Sequence, residues 1–106
     1  MTETLREKQS RFVLMVAEKL IPKAKELGFE VTFGDAYRDE RCLYGQPFSL
    51  HRKRLAIDLS LFKEGKYLEG TDAHYPLGVY WESIGGSWGG RFHDGNHYSL
   101  EHEGMK

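Results

Sequence analysis

The sequence predicts an α+β fold, and three observations carry that expectation. The first is an amphipathic stretch of helical period near the N-terminus. The second is a central segment in which apolar residues alternate strictly with others. The third is a pair of shorter strand-like runs, at residues 29–33 and 97–100. At 106 residues the chain suits one compact domain spanning 1–106, with too little length for two independent cores.

Taken in order, Thr4 and Glu7 have the spacing of a capping box, with Thr4 as N-cap. Val13, Val16, Leu20, Ala24 and Leu27 follow in steps of three and four and so share one helix face. Gly28 suits the position just past the helix end. Pro22, which has no amide proton, predicts a kink or a break within it. Residues 29–33 alternate and read as a strand, leading through Gly34, Asp35 and Ala36 to Tyr37 and Arg38. Residues 39–48 read as a polar loop. The clearest strand follows: Leu55, Ile57, Leu59 and Leu61 alternate with Ala56, Asp58, Ser60 and Phe62. Asp58 therefore faces away from the aliphatic row. A charge in mid-strand implies a task or a partner. Residues 63–66 predict a hairpin turn, with Tyr67 and Leu68 opening the return strand. A short helix is expected over 76–84, ended by Gly85 and Gly86, then an irregular glycine-rich stretch over 87–92. Residues 97–100 form a last strand, and the polar tail 101–106 is expected to fray.

Fifteen Lys and Arg against sixteen Asp and Glu leave a net charge of -1. That balance argues against a partner held mainly by phosphate contacts, nucleic acid included. The one dense basic run, Arg52-Lys53-Arg54, reads as a solvated loop. A single cysteine, Cys42, excludes both an intramolecular disulfide and a zinc cage of thiolates. Residues 1–8 lack the apolar core of a signal peptide, and the longest apolar stretch, 12–17, is far short of a bilayer span. The expectation is a chain without a membrane anchor, held in the cytoplasm as synthesised, and of a size that suits a monomer.

His51, Asp58 and His97 supply three donors for one divalent ion. Three protein ligands with an open fourth position is the coordination of a catalytic zinc. His51 precedes Asp58 by seven residues. An extended strand advances about 3.3 Å per residue, so the chain must fold back at 52–54 to bring both side chains to one ion. His97 must then come from a strand beside that of Asp58. Water on such an ion has a pKa near neutrality and needs only a base to take its proton. Asp94, three residues before His97, is placed to be that base. Arg38 is a candidate to bind a carbonyl oxygen as it gains charge, or a substrate carboxylate. Spacing alone leaves the plainer alternative open: scattered histidines on the surface or in the core, Asp94-Gly95-Asn96 as a turn, and Arg38 as a surface ion-pair partner. His93 flanks the proposed base and is a candidate for substrate contact, whereas His74 and His102 have no role in this reading.

Several segments, in order, carry a resemblance: Tyr37-Arg38, Ser49-Leu50-His51, Leu55-Ala56-Ile57-Asp58-Leu59, Tyr80-Trp81-Glu82, Trp88-Gly89-Gly90 and Asp94-x-x-His97. Together they cover most of the chain from about Phe29 onward. The set resembles the zinc peptidases that include D-alanyl-D-alanine carboxypeptidases and dipeptidases, and above all the L-alanyl-D-glutamate endopeptidases among phage endolysins. The resemblance implies one Zn2+ per chain held by His51, Asp58 and His97, with Asp94 as general base and Arg38 steadying substrate or transition state. It implies that Ser49, Trp88 and Gly89 lie along the substrate cleft, where glycines let a glycopeptide approach the backbone.

The implied fold is of the Hedgehog/DD-peptidase type, a small antiparallel sheet with zinc on one face and helices on the other. The implied activity is cell-wall lysis by hydrolysis of a peptidoglycan stem-peptide bond, such as L-alanyl-D-glutamate or D-alanyl-D-alanine. A holin or another delivery factor would bring the enzyme from the host cytoplasm to the wall. One departure stands out: Arg54 occupies a position where the family often has glycine. Two other readings are a metal-dependent nuclease, which the near-neutral charge disfavours, and a non-catalytic zinc-containing cell-wall-binding domain, which would have no need of Asp94.

Overall fold

The computed structural model describes residues 2–37 and 49–106. Arg38 and the expected loop over 39–48 lie outside the described residues. The capping box forms as its spacing requires. Thr4 Oγ1 accepts from the Glu7 amide at 3.1 Å, and Glu7 Oε1 accepts from the Thr4 amide at 3.0 Å. Helix α1 (Leu5–Met15) follows, then a π-helical turn (Val16–Leu20) and helix α2 (Ile21–Glu26). The expected break at Pro22 is thus replaced by a widened turn ahead of it, in which the Ile21 amide donates to the Val16 carbonyl. Pro22 then sits in the first turn of α2, where a missing donor costs nothing.

The π-turn also resets the buried face. Residues four apart drift by about 40° per step on a helix of 3.6 residues per turn, and a wider turn offsets part of that drift. Phe12, Val16, Leu20 and Ala24 are all buried, whereas Val13, expected on this face, is 60% exposed. Gly28 (φ 88°) closes the helix. The Phe29 amide donates to the Ala24 carbonyl at 2.9 Å and the Gly28 amide to the Lys25 carbonyl at 3.0 Å, the paired bonds of a Schellman ending.

The remainder is an antiparallel sheet with a third α-helix packed on it. Strands β1 (Glu30–Phe33), β2 (Ala56–Lys63), β4 (Ser87–Trp88) and β5 (His97–Ser99) lie in the order β1-β2-β5-β4, and β3 (Lys66–Tyr67) pairs with the far end of β2. The β2–β3 connection is a two-residue turn, Glu64 and Gly65, both at positive φ. This is the backbone a tight hairpin needs to match strand twist. Helix α3 (Tyr75–Ser83) is the expected short helix and ends before Gly85 (φ 101°). The stretch expected to be irregular instead contains β4 and a 3-10 turn (Gly89–Phe92). The tail also differs from expectation. His102 and Met105 exchange backbone hydrogen bonds at 2.9 Å, and Lys8 of α1 reaches the Glu101 carbonyl.

The alternation in β2 sorts the two faces of the sheet. Leu55, Ile57, Leu59 and Leu61 are buried in the core with Leu20, Ala24 and Leu77 of the helical layer. In register with Ile57 is Tyr98, whose ring meets Trp81 of α3 edge-on, and Trp81 in turn meets Phe12 of α1. The neighbouring pair, Asp58 opposite His97, points to the other face. Among the described residues no helix is long and apolar enough to cross a membrane.

Candidate metal centre

Asp58 is fixed by backbone on both sides. Its amide donates to the Asp35 carbonyl and its carbonyl accepts from the Gly34 amide, both at 2.8 Å, which extends the β1–β2 pairing beyond the strand. On the other flank the Leu59 amide donates to the Asn96 carbonyl at 2.9 Å. Antiparallel register then sets His97 directly across from Asp58, at the spacing where cross-strand side chains meet.

His51 arrives from a different device. Ser49 Oγ accepts from the His51 amide at 3.2 Å and caps a 3-10 turn, Leu50–Lys53. Buried Leu50 anchors that turn, and the Leu55 amide closes it on the Leu50 carbonyl at 2.9 Å. Arg54 reverses the chain into β2 with a left-handed backbone (φ 57°, ψ 35°). The fold-back expected at 52–54 is therefore present, and it brings His51 back over Asp58.

The position where the resembled family often has glycine is thus one that favours glycine on conformational grounds. An L-residue here costs about 1–2 kcal/mol. Arg54 recovers part of this by stacking its guanidinium 4.3 Å from the centre of the Tyr37 ring, worth about 0.5–1 kcal/mol at an exposed site. We expect Arg54→Gly to leave stability within about 1 kcal/mol of the wild type, because the relief of backbone strain offsets the lost stacking and the added chain entropy. Arg54→Val, with a β-branched side chain, should be less stable than Arg54→Gly by about 1–2 kcal/mol. Urea unfolding of the two variants checks the order.

The three side chains converge. His51 Nε2 lies 3.1 Å from Asp58 Oδ1 and His97 Nδ1 lies 3.7 Å from the same oxygen. One donor atom from each residue falls within 4.8 Å of the others. Donors about 2.0–2.1 Å from a tetrahedral ion stand roughly 3.3 Å apart, so this spacing suits a single small cation with modest adjustment. His51 and His97 are only 3% and 6% exposed. Burial works to raise the Asp58 pKa, but the facing imidazoles outweigh it and hold the carboxyl at about 2. Asp58 is therefore an anion, ready to act as a ligand. His51 Nδ1 and His97 Nε2, the ring atoms turned away from Asp58, are buried without a hydrogen-bond partner among the described residues. Each such orphan costs about 1–3 kcal/mol.

Asp94 stands at the edge of this cluster. Its Oδ2 is 3.9 Å from His97 Nδ1, and its side chain is 51% exposed. Its main chain is tightly tied: the Asp94 amide donates to the Gly89 carbonyl at 2.9 Å, and the His97 amide to the Asp94 carbonyl at 3.0 Å. Of the other residues expected to meet substrate, His93 is exposed beside Asp94 with a left-handed backbone (φ 62°). Ser49 is committed to capping the turn. Trp88 and Gly89, expected along the cleft, are both buried. Trp88 is 3% exposed and its Nε1 donates to the Gly95 carbonyl at 2.7 Å. A Cβ on Gly89 would fall 2.2 Å from the Asp94 carbonyl oxygen and 2.7 Å from the His97 Cβ. These two residues hold the loop that carries Asp94 and His97.

His74, which the sequence leaves in a loop, is buried with Nδ1 2.8 Å from the hydroxyl of Tyr98, the residue after a candidate ligand. No pattern in the sequence points to it, since its place follows from packing alone. Burial holds its pKa at about 4, against an ordinary value near 6.5. The folded chain thus binds this proton less readily than the unfolded chain. The stabilisation is intact above about pH 6.5 and is lost as the pH falls through about 4. We expect this group alone to lower unfolding free energy by about 2 kcal/mol between pH 7.5 and 4.5. Urea titrations at both values should show a flatter dependence in His74→Gln.

Comparison of the sequence with models of known protein families finds no match, and comparison with curated proteins finds none either. What stands is the geometry: a centre of two imidazoles and a carboxylate that could hold a metal ion, with a second carboxylate beside it.

Proposed function

We propose that the chain is a zinc-dependent peptidoglycan peptidase of the Hedgehog/DD-peptidase type, which hydrolyses a stem-peptide bond. The observation that carries this reading is the convergence of His51, Asp58 and His97, with Asp94 3.9 Å from His97 but outside the triad. A donor set of two neutral imidazoles and one carboxylate suits zinc and leaves a fourth position open. The bound ion would supply Lewis-acid chemistry and a water acidic enough to lose a proton near neutral pH.

The residues of the chain do the rest. His51, Asp58 and His97 would hold the ion, and the backbone hydrogen bonds on either side of Asp58 keep that residue in place. The half-exposed Asp94 takes the proton of the attacking water and later gives it to the leaving amine. Arg38, outside the described residues, is assigned to steady the carbonyl oxygen as it gains charge. The ordered segments that resemble zinc peptidases supply the substrate class. A chain of this kind would act as a monomer on the wall after release from the cytoplasm by a separate delivery factor.

The test is digestion of purified cell-wall sacculi and muropeptides by the zinc-loaded protein, with mass spectrometry of the products. We expect new termini at one type of stem-peptide bond and full suppression by a chelator. Bound zinc with all wall fragments left intact would replace this reading with a non-catalytic binding domain.

A further inference from the structure

Beside Asp94 lies a cavity of about 180 Å3, separate from the cluster of His51, Asp58 and His97. Its polar lining comes from Tyr67, Thr71, His74, His93, Asp94 and Asn96. The cavity has a built floor. Thr71 Oγ1 accepts from the Gly95 amide at 3.2 Å, and a Cβ on Gly95 would fall 2.5 Å from the Thr71 Cα, so the two loops are in direct contact. His74 is buried and its Nδ1 is committed to Tyr98. That leaves Nε2 as the ring's remaining polar atom, on a side chain that lines the cavity.

The charge pattern decides what can enter. Among the described residues that line it there is no lysine or arginine, while the Asp94 carboxylate stands at its rim. A carboxylate placed here would meet the like charge of Asp94 with no lysine or arginine of the lining to offset it, only the cation that the neighbouring triad would hold, whereas a neutral group meets no such repulsion. A primary carboxamide has two N–H donors and one acceptor. It can donate toward Asp94 and find further partners among imidazole, hydroxyl and amide groups. The volume of about 180 Å3 admits a short polar side chain.

We propose that this cavity is a subsite for an uncharged carboxamide of the substrate, next to the scissile bond, and that it selects amidated peptides over their free acids. Its location relative to the bond rests on the peptidase reading above. Its preference for amide over acid does not, because that follows from the lining alone.

The experiment separates the two. The full zinc-loaded chain is titrated with N-acetylglutamine and, in parallel, with N-acetylglutamate at about pH 8, while the NMR signals of the Thr71 methyl and the Asn96 amide are followed. We expect the amide to bind at least tenfold more tightly and to shift those two signals first. Equal binding, tighter binding of the acid, or shifts confined to other parts of the chain would overturn the proposal. Asn96→Lys adds a cation to the lining while keeping His51, Asp58, His97 and Asp94 themselves, and it should erase or reverse the tenfold ratio. An unchanged ratio in a folded Asn96→Lys protein would also overturn it. Turnover is read separately on a matched pair of amidated and free-acid muropeptides. Failure to cut either one defeats the peptidase reading, while the binding ratio still decides whether the subsite exists.

Discussion

Asp94→Asn is expected to lower the rate of peptide hydrolysis by about 10²–10⁴-fold while zinc still binds with one ion per chain. The substitution keeps size and hydrogen-bonding shape but removes the carboxylate's ability to take a proton. Asp94 lies outside the converged triad and is half exposed, so its replacement strands no buried charge and leaves His51, Asp58 and His97 in place. Metal content by mass spectrometry and single-turnover cleavage of a muropeptide, measured on the same preparation, separate the two properties. Loss of zinc together with activity would make Asp94 a ligand. Activity within tenfold of the wild type would remove it from the chemistry altogether.

Gly89→Ala should be the most damaging single-methyl change near the site. Its Cβ would lie 2.2 Å from the Asp94 carbonyl oxygen, and that oxygen accepts from the His97 amide. The obstruction is backbone, so no side-chain rotation can relieve it, and the whole turn bearing Asp94 and His97 must move. Overpacking typically costs about 1–3 kcal/mol; with a rigid obstacle we expect at least about 2 kcal/mol of lost stability. We also expect zinc affinity to fall by tenfold or more, because His97 moves with the turn. Thermal unfolding with and without zinc, and zinc titration by calorimetry, check both. Gly65→Ala serves as the contrast. That glycine has a positive φ, but nothing lies within 4 Å of where its Cβ would stand, so the change should cost backbone strain alone and spare the metal.

The features readable in one dimension were those with a local cause. The capping box needs only Thr4 and Glu7. The Schellman ending needs only Gly28. The central strand announces itself through an alternation that also singles out Asp58 as the residue facing away from the aliphatic row. The fold-back before that strand was legible as a matter of reach, since His51 and Asp58 could not otherwise meet. What stayed hidden depends on contacts between distant segments. Phe12 rather than Val13 faces the core because the π-turn shifts the phase of the helix, and periodicity alone assumes a uniform helix. Trp88 and Gly89 resemble cleft residues in sequence, yet both are buried, since nothing local reveals that the Asp94 turn packs against them. His74 reads as a loop histidine until Tyr98 is seen against it. The tail reads as frayed until Lys8 is found at its carbonyl.

The pairing of Asp58 with His97 has a consequence for assembly. The two residues are neighbours only when β2 and β5 align in a single antiparallel register, although β3, α3 and β4 all lie between them in the chain. A slip of one residue would turn His97 to the helical face and send Tyr98 toward the carboxylate. A cation gripped by both strands therefore rewards only the correctly aligned sheet, and the unfolded chain offers it no comparable seat. Zinc would thus act as a proofreader of strand alignment, favouring the one arrangement in which the lining up of backbone and the meeting of the three donors are the same event.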